Sequence, residues 1–138
     1  MDADHYKYSP ISSLGQHPEI RIVDLEPGLE HDTIKIQLRQ CQLIDSMGSY
    51  VALSYTWGNA LKTHSARVSS KTLGITQNLH SALVRLRLAD KPRSLWIDAI
   101  CINQEDSTEK SQQIPLMPRI YSSSSSTVVW LGEDSEDL

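Results

Sequence analysis

Four groups able to do chemistry fall within seven residues: the carboxylate of Asp98, the thiol of Cys101 and the carboxamides of Asn103 and Gln104. They belong to the run Leu95-Trp96-Ile97-Asp98-Ala99-Ile100-Cys101-Ile102-Asn103-Gln104, which is otherwise apolar enough to be a buried strand over 95–102. Taking an amide or a charge out of water without a partner costs roughly 2–7 kcal/mol or more. Each group is therefore either braced by hydrogen bonds or part of a site at the strand's end, where α/β folds with parallel sheets bind ligands. A Cys101 nucleophile needs an imidazole within hydrogen-bond reach. The five histidines, His5, His17, His31, His64 and His80, include none with a local signature beside it, and cysteine also serves as a small buried hydrophobe. Asp98 reads either as an orienter of a ligand or partner, or as a carboxylate held by backbone amides or an arginine. Asn103 and Gln104 suit turn and cap roles as well as a ligand-facing rim.

Two further clusters are weighed the same way. Trp57-Gly58 sets a large ring on a tight turn, either walling a pocket or partner surface or packing the strand end. Asp106 with Glu109 three residues on could be paired carboxylates, but the spacing is that of a capping box at a helix start. Arg85 and Arg87 flank an apolar stripe and are expected in solvent. No Gly-rich phosphate loop, zinc spacing or nucleic-acid motif is present.

The elements that must position these groups follow from periodicity. Strands are expected at 20–25, 33–39, 50–55 and 127–131, with a hairpin over 66–76 around Ser69-Ser70-Lys71. Ile34, Ile36 and Leu38 alternate with Lys35, Gln37 and Arg39, the pattern of a strand with one wet face. Leu79, Ala82, Leu83 and Leu86 are spaced i, i+3, i+4, i+7, the stripe of an amphipathic helix, with Thr76 or Asn78 available as its cap. A second helix is expected after Asn103, with Ile114, Met117 and Tyr121 on its apolar side. Pro115 and Pro118 conflict with it and call for a break near residue 114 or a kinked continuation. Five serines, 122–126, read as a flexible connector or frayed helix end. The expected architecture is α/β: a central, mostly parallel sheet with flanking helices and an antiparallel N-terminal strand and hairpin portion.

Length and composition set the class. The chain has 138 residues, enough for one domain with a real core or a fragment of one. Its net charge of −4 opposes non-specific nucleic-acid binding. Two cysteines suit a reducing compartment, and the polar, acidic N-terminus is no signal peptide. No run approaches the about 18 apolar residues of a membrane helix, so the expected location is cytoplasmic.

Three blocks carry a family resemblance: Tyr50-Val51-Ala52-Leu53-Ser54-Tyr55-Thr56-Trp57-Gly58, the run from Leu95 to Gln104, and Ile120-Tyr121 followed by Val128-Val129-Trp130-Leu131-Gly132. In order and spacing they resemble the fungal heterokaryon incompatibility (HET) domain, with a weaker likeness in the lead-in from Glu19 to Gly28. The resemblance implies a HET-like domain over 19–132, shortened on its C-terminal side, after an extended lead-in (1–18) and before an acidic tail (133–138). The motif positions it carries over are Tyr55, Trp57, Gly58, Trp96, Asp98, Cys101, Asn103, Gln104, Asp106, Glu109, Tyr121, Trp130 and Gly132. It implies an intracellular module of self/non-self recognition that promotes cell death through protein partners, itself or related domains, with no cofactor. The family is distantly similar to TIR domains. That likeness implies an alternative, an NAD-consuming enzyme with a pocket around Trp57, Asp98 and Asn103, whose catalytic glutamate would lie beyond Leu138; a further alternative is an inactive, truncated copy.

Overall fold

The computed structural model describes residues 4–56 and 58–132. Trp57 and the acidic tail lie outside the described residues. Seven strands, β1 (Glu19–Leu25), β2 (Lys35–Gln42), β3 (Val51–Tyr55), β4 (His64–Val68), β5 (Lys71–Ile75), β6 (Arg93–Ile97) and β7 (Ser126–Trp130), form one sheet in the order β5-β4-β2-β1-β6-β3-β7. Of its six pairings, β2–β4, β3–β6 and β3–β7 are parallel, and β1–β2, β1–β6 and β4–β5 are antiparallel. The sheet is thus mixed rather than mostly parallel, and the N-terminal strands and the hairpin form one side of it. The reason lies in β1: its apolar residues Ile20, Ile22, Val23 and Leu25 are all fully buried, so it must sit in the interior, between β2 and β6.

Register assigns the two faces. Val23, Leu95 and Val51 align across three strands, so Arg21, Val23 and Leu25 share a face with Leu95, Ile97, Leu53 and Tyr55. On the other face, Lys35, Gln37, Arg39 and Arg67 are exposed, and the alternation of β2 is as its sequence requires.

Helix α1 (Gln77–Leu86) buries Leu79, Ala82, Leu83 and Leu86, and the Thr76 hydroxyl accepts from the Leu79 amide at 3.2 Å. Arg87 is not in solvent: at 8% exposure it donates to the carbonyls of Leu29, Asp32 and Thr33, pinning the loop that feeds β2. The β4–β5 turn uses Ser69 at φ +57°, so a serine takes the left-handed position that glycine usually fills.

Strand β6 ends at Ile97, and the next residues coil into a single turn, α2 (Asp98–Cys101). Asp98 and Cys101 are therefore on a helical turn, not on a strand. The turn lets the Ile102 amide reach the Asp98 carbonyl at 3.3 Å. Helix α3 (Ser107–Gln113) passes through a 3-10 turn (Ile114–Leu116) into α4 (Met117–Ser122). Both prolines fall in the first turn of their segments, where the missing amide is not needed. The kink rotates the apolar side: Ile114 is exposed, whereas Gln113 and Ile120 are buried and Met117 and Tyr121 are partly covered. The serine run is held as well, since Ser125 donates to the Tyr50 carbonyl through its amide (2.8 Å) and hydroxyl (3.0 Å).

The lead-in from residue 4 is docked rather than free. It bridges β5 beside Thr72, where the Tyr6 amide donates to the Thr72 carbonyl at 2.8 Å. It then crosses to α2, where the Tyr8 hydroxyl donates to the Ile100 carbonyl at 2.6 Å.

Candidate functional site

The three sequence blocks converge on the C-terminal ends of β6, β3 and β7, which are parallel neighbours. Asn78, at the start of α1, ties two of them. Its amide donates to the Thr56 carbonyl after β3, and its oxygen accepts from the Trp130 indole at 3.2 Å. Arg85 lies over the Trp130 ring at 5.9 Å. Gly58 and Gly132 adopt positive φ (+59° and +108°), so each turns the chain where a side chain would be strained.

Behind this rim the motif residues separate into three places. Trp96 is fully buried and meets the edge of Tyr121 at 5.6 Å, on the face away from the lead-in. Asp98, half-buried, stands close enough to Tyr55 and Tyr121 that its charge adds to burial in raising both hydroxyl pKa values. Cys101 is fully buried; its sulfur accepts from the Ile97 amide at 3.4 Å, and burial pushes the thiol up to about 12. A thiol held this way is not a nucleophile at neutral pH.

The second place is a buried ion pair whose cation the sequence reading did not single out. Arg21 and Glu109 meet through two bonds, 2.6 and 2.8 Å, with 1% and 6% of their side chains exposed. Arg21 also donates to the carbonyls of Cys101 (2.9 Å) and Ser9 (2.8 Å), and packs over the Tyr8 ring. Glu109 accepts the Asn103 amide at 2.7 Å. The expected capping box is thus half formed. Asp106 caps α3 by accepting the Glu109 amide at 3.1 Å, but the Glu109 side chain turns inward to Arg21 instead of returning to Asp106. An arginine inside the apolar string Ile20-Arg21-Ile22-Val23 was the available signal, because a charge on a central strand demands a partner.

The third place is a cleft of about 350 Å³ between the lead-in and the loop joining α2 to α3. Tyr6, Lys7 and Tyr8 form one wall; Ala99, Asn103, Gln104 and Glu105 form the other, with Leu73 and Gly74 of β5 beneath. A recess of about 50 Å³ continues inward past Lys62, Gly74, Ala99 and Gln104 to Tyr55, Ile75, Thr76 and Leu79. Of the residues of the expected NAD pocket, Asn103 lines the cleft, Asp98 lines neither chamber and Trp57 lies outside the described residues. Gln104 is braced by donating to the Asp98 carbonyl at 2.9 Å. Among the described residues, no group of three or more His, Cys, Asp or Glu is placed to hold a metal ion, and no helix is long and apolar enough to cross a membrane.

Comparison with known proteins agrees with the arrangement of the blocks. The family profile described as heterokaryon incompatibility protein (HET) matches residues 50–138. Heterokaryon incompatibility protein 6, OR allele, of Neurospora crassa is 35% identical over 145 aligned positions, which cover 96% of this chain and 21% of that protein. The chain thus spans about a fifth of the length of this curated relative. No solved structure matches.

Proposed function

Since the chain belongs to the heterokaryon incompatibility (HET) family, we propose that it is a protein-interaction module of fungal self/non-self recognition. It pairs with its own copies or with related domains to promote a cell-death response. The observation that carries this reading is strand β7, which among the described residues stands at the edge of the sheet and pairs with β3 alone. Natural edge strands are usually blunted by lysine, proline or a bulge. This edge has none of the first two: no charged residue and no proline lie between Arg119 and Glu133. Val129 and the following Leu131 are 63% and 61% exposed. An apolar, uncharged edge offers backbone donors and acceptors to a strand of a second chain.

The test is Val129→Lys, which adds one charge to the exposed side of the edge and leaves the core untouched. Wild-type protein is expected to associate with rising concentration by light scattering, and its regulated expression in a fungal host is expected to lower viability. The variant should remain monomeric, with unchanged circular dichroism, and should spare the host. A wild type that stays monomeric, or a variant that associates and kills as well as wild type, removes the edge as the contact.

A further inference from the structure

The cleft under the lead-in carries an inference separate from the edge strand: we propose that it binds a small planar heterocycle bearing an anionic arm. Three observations define that chemistry. First, Tyr6 and Tyr8 line the cleft edge to face at 5.2 Å; Arg21 covers one face of the Tyr8 ring, so Tyr6 is the ring on which a flat ligand would stack. Second, the opposite wall offers a donor and an acceptor on adjacent residues. The Asn103 oxygen accepts the Glu105 amide, leaving its amino group unengaged by the described residues. The Gln104 amino group is spent on the Asp98 carbonyl, leaving its oxygen unengaged. Such a pair reads a heterocycle edge that carries a carbonyl or ring nitrogen next to an N–H. Third, Lys7 and Lys62 line the cleft, and among the described residues neither is in an ion pair. The Lys62 stem lies across β5 beside Gly74. Glu105 is the one acidic side chain among the described lining residues, so the cleft keeps a positive balance in a chain of net charge −4.

The recess adds depth beside Gly74, Ile75 and Leu79. The combined space lies near the lower end of the range for small-molecule sites.

The intact chain, labelled with nitrogen-15, is titrated with orotate, uridine 5′-monophosphate, uracil and inorganic phosphate. The readout is the side-chain amide signals of Asn103 and Gln104. Orotate and the nucleotide combine ring and anion, as carboxylate and phosphate respectively, and whichever binds more tightly identifies the source of the anion. At least one of them is expected to shift both signals saturably, at least about tenfold more tightly than uracil or inorganic phosphate. Lys62→Gln, an exposed change, should weaken that binding about two- to fivefold; Tyr6→Leu should weaken it about tenfold through the lost ring face. The proposal is overturned if neither compound gives saturable shifts up to 10 mM, if the shifts map away from Asn103 and Gln104, or if Lys62→Gln binds as wild type does.

Discussion

The Arg21–Glu109 pair makes the sharpest stability prediction. Glu109→Gln keeps the size and nearly the shape of the side chain while removing its charge and one of its two acceptor oxygens. In the native protein that carboxylate receives three short bonds, two from Arg21 and one from the Asn103 amide. A glutamine oxygen cannot serve all three, and its amino group would point a donor at a donor. Arg21 would stay 1% exposed, held by the Cys101 and Ser9 carbonyls, the Tyr8 ring and at most one glutamine oxygen, with no anion to balance it. Removing one partner of a buried pair costs about 3–5 kcal/mol, against about 0–1 kcal/mol for an exposed one. For a chain of this length, between the size classes usually tabulated, each kcal/mol corresponds to roughly 3 °C, so the melting temperature should fall by about 9–15 °C. That is a large share of the roughly 5–15 kcal/mol that holds a domain folded.

The assay is urea unfolding followed by tryptophan fluorescence, run on Glu109→Gln and as a double-mutant cycle with Arg21→Met, Glu109→Leu and Arg21→Met/Glu109→Leu. The double variant should recover much of the loss, because well-packed apolar residues of similar volume replace a buried pair at little cost. A Glu109→Gln cost below about 1 kcal/mol would place the pair in effective contact with water and refute the reasoning. A double variant as damaged as the singles would refute the desolvation argument while leaving the geometry intact.

Two other outcomes follow from the same physics. Burial raises the Cys101 thiol to about 12 and the Tyr50 hydroxyl to about 12, from ordinary values of 9.0 and 10.0. The folded state therefore holds these protons more firmly than the unfolded state, and stability is full below pH 9 and lost as pH rises towards 12; urea midpoints that stay flat from pH 8 to 11 would contradict it, as would iodoacetamide labelling of Cys101 in the folded protein. Pro118→Ala should lower stability by about 0.4–1 kcal/mol, because the proline occupies the first turn of α4 and restricts the unfolded chain; a rise in the melting temperature would show instead that the ring strains the kink.

Much of the fold was legible because burial writes itself into period. The α1 stripe and the alternation of β2 name their own partners, and the buried residues agree with them position by position. What sequence could not show is where the chain stops obeying period. The run from Leu95 to Ile102 is uniformly apolar, and periodicity cannot distinguish a strand that continues from a strand that ends in a helical turn. The Asp98 carbonyl decides it by accepting both the Ile102 amide and the Gln104 side chain, bonds made by residues beyond the run's centre. The same limit applies to Glu109. Its spacing from Asp106 fits a cap, and local sequence contains nothing of Arg21, 88 positions away. The lead-in is a third case: its polar composition reads as a tail, but Tyr6, Tyr8 and the Ser9 carbonyl are taken up by residues distant in the chain.

The ion pair also bears on how the family's sequence blocks acquire a fold. The profile match begins at residue 50 and includes Glu109, whereas Arg21 lies on β1, outside the match. β1 also covers one side of β6, the strand that leads into Asp98, Cys101 and Asn103. Without β1, β6 would have an open edge towards the middle of the sheet, and Glu109 would be a buried carboxylate with no cation. The Cys101 carbonyl would lose the Arg21 group that fixes it, and the Glu109 carboxylate that holds the Asn103 amide would lose its cation. The matched residues therefore supply the wall that holds Asn103 and Gln104, the lead-in supplies the facing wall with Tyr6, Lys7 and Tyr8, and β1 supplies the counter-charge of Glu109. A segment starting at residue 50 should lose the Asn103 geometry first, because Glu109 would have no reason to stay turned inward.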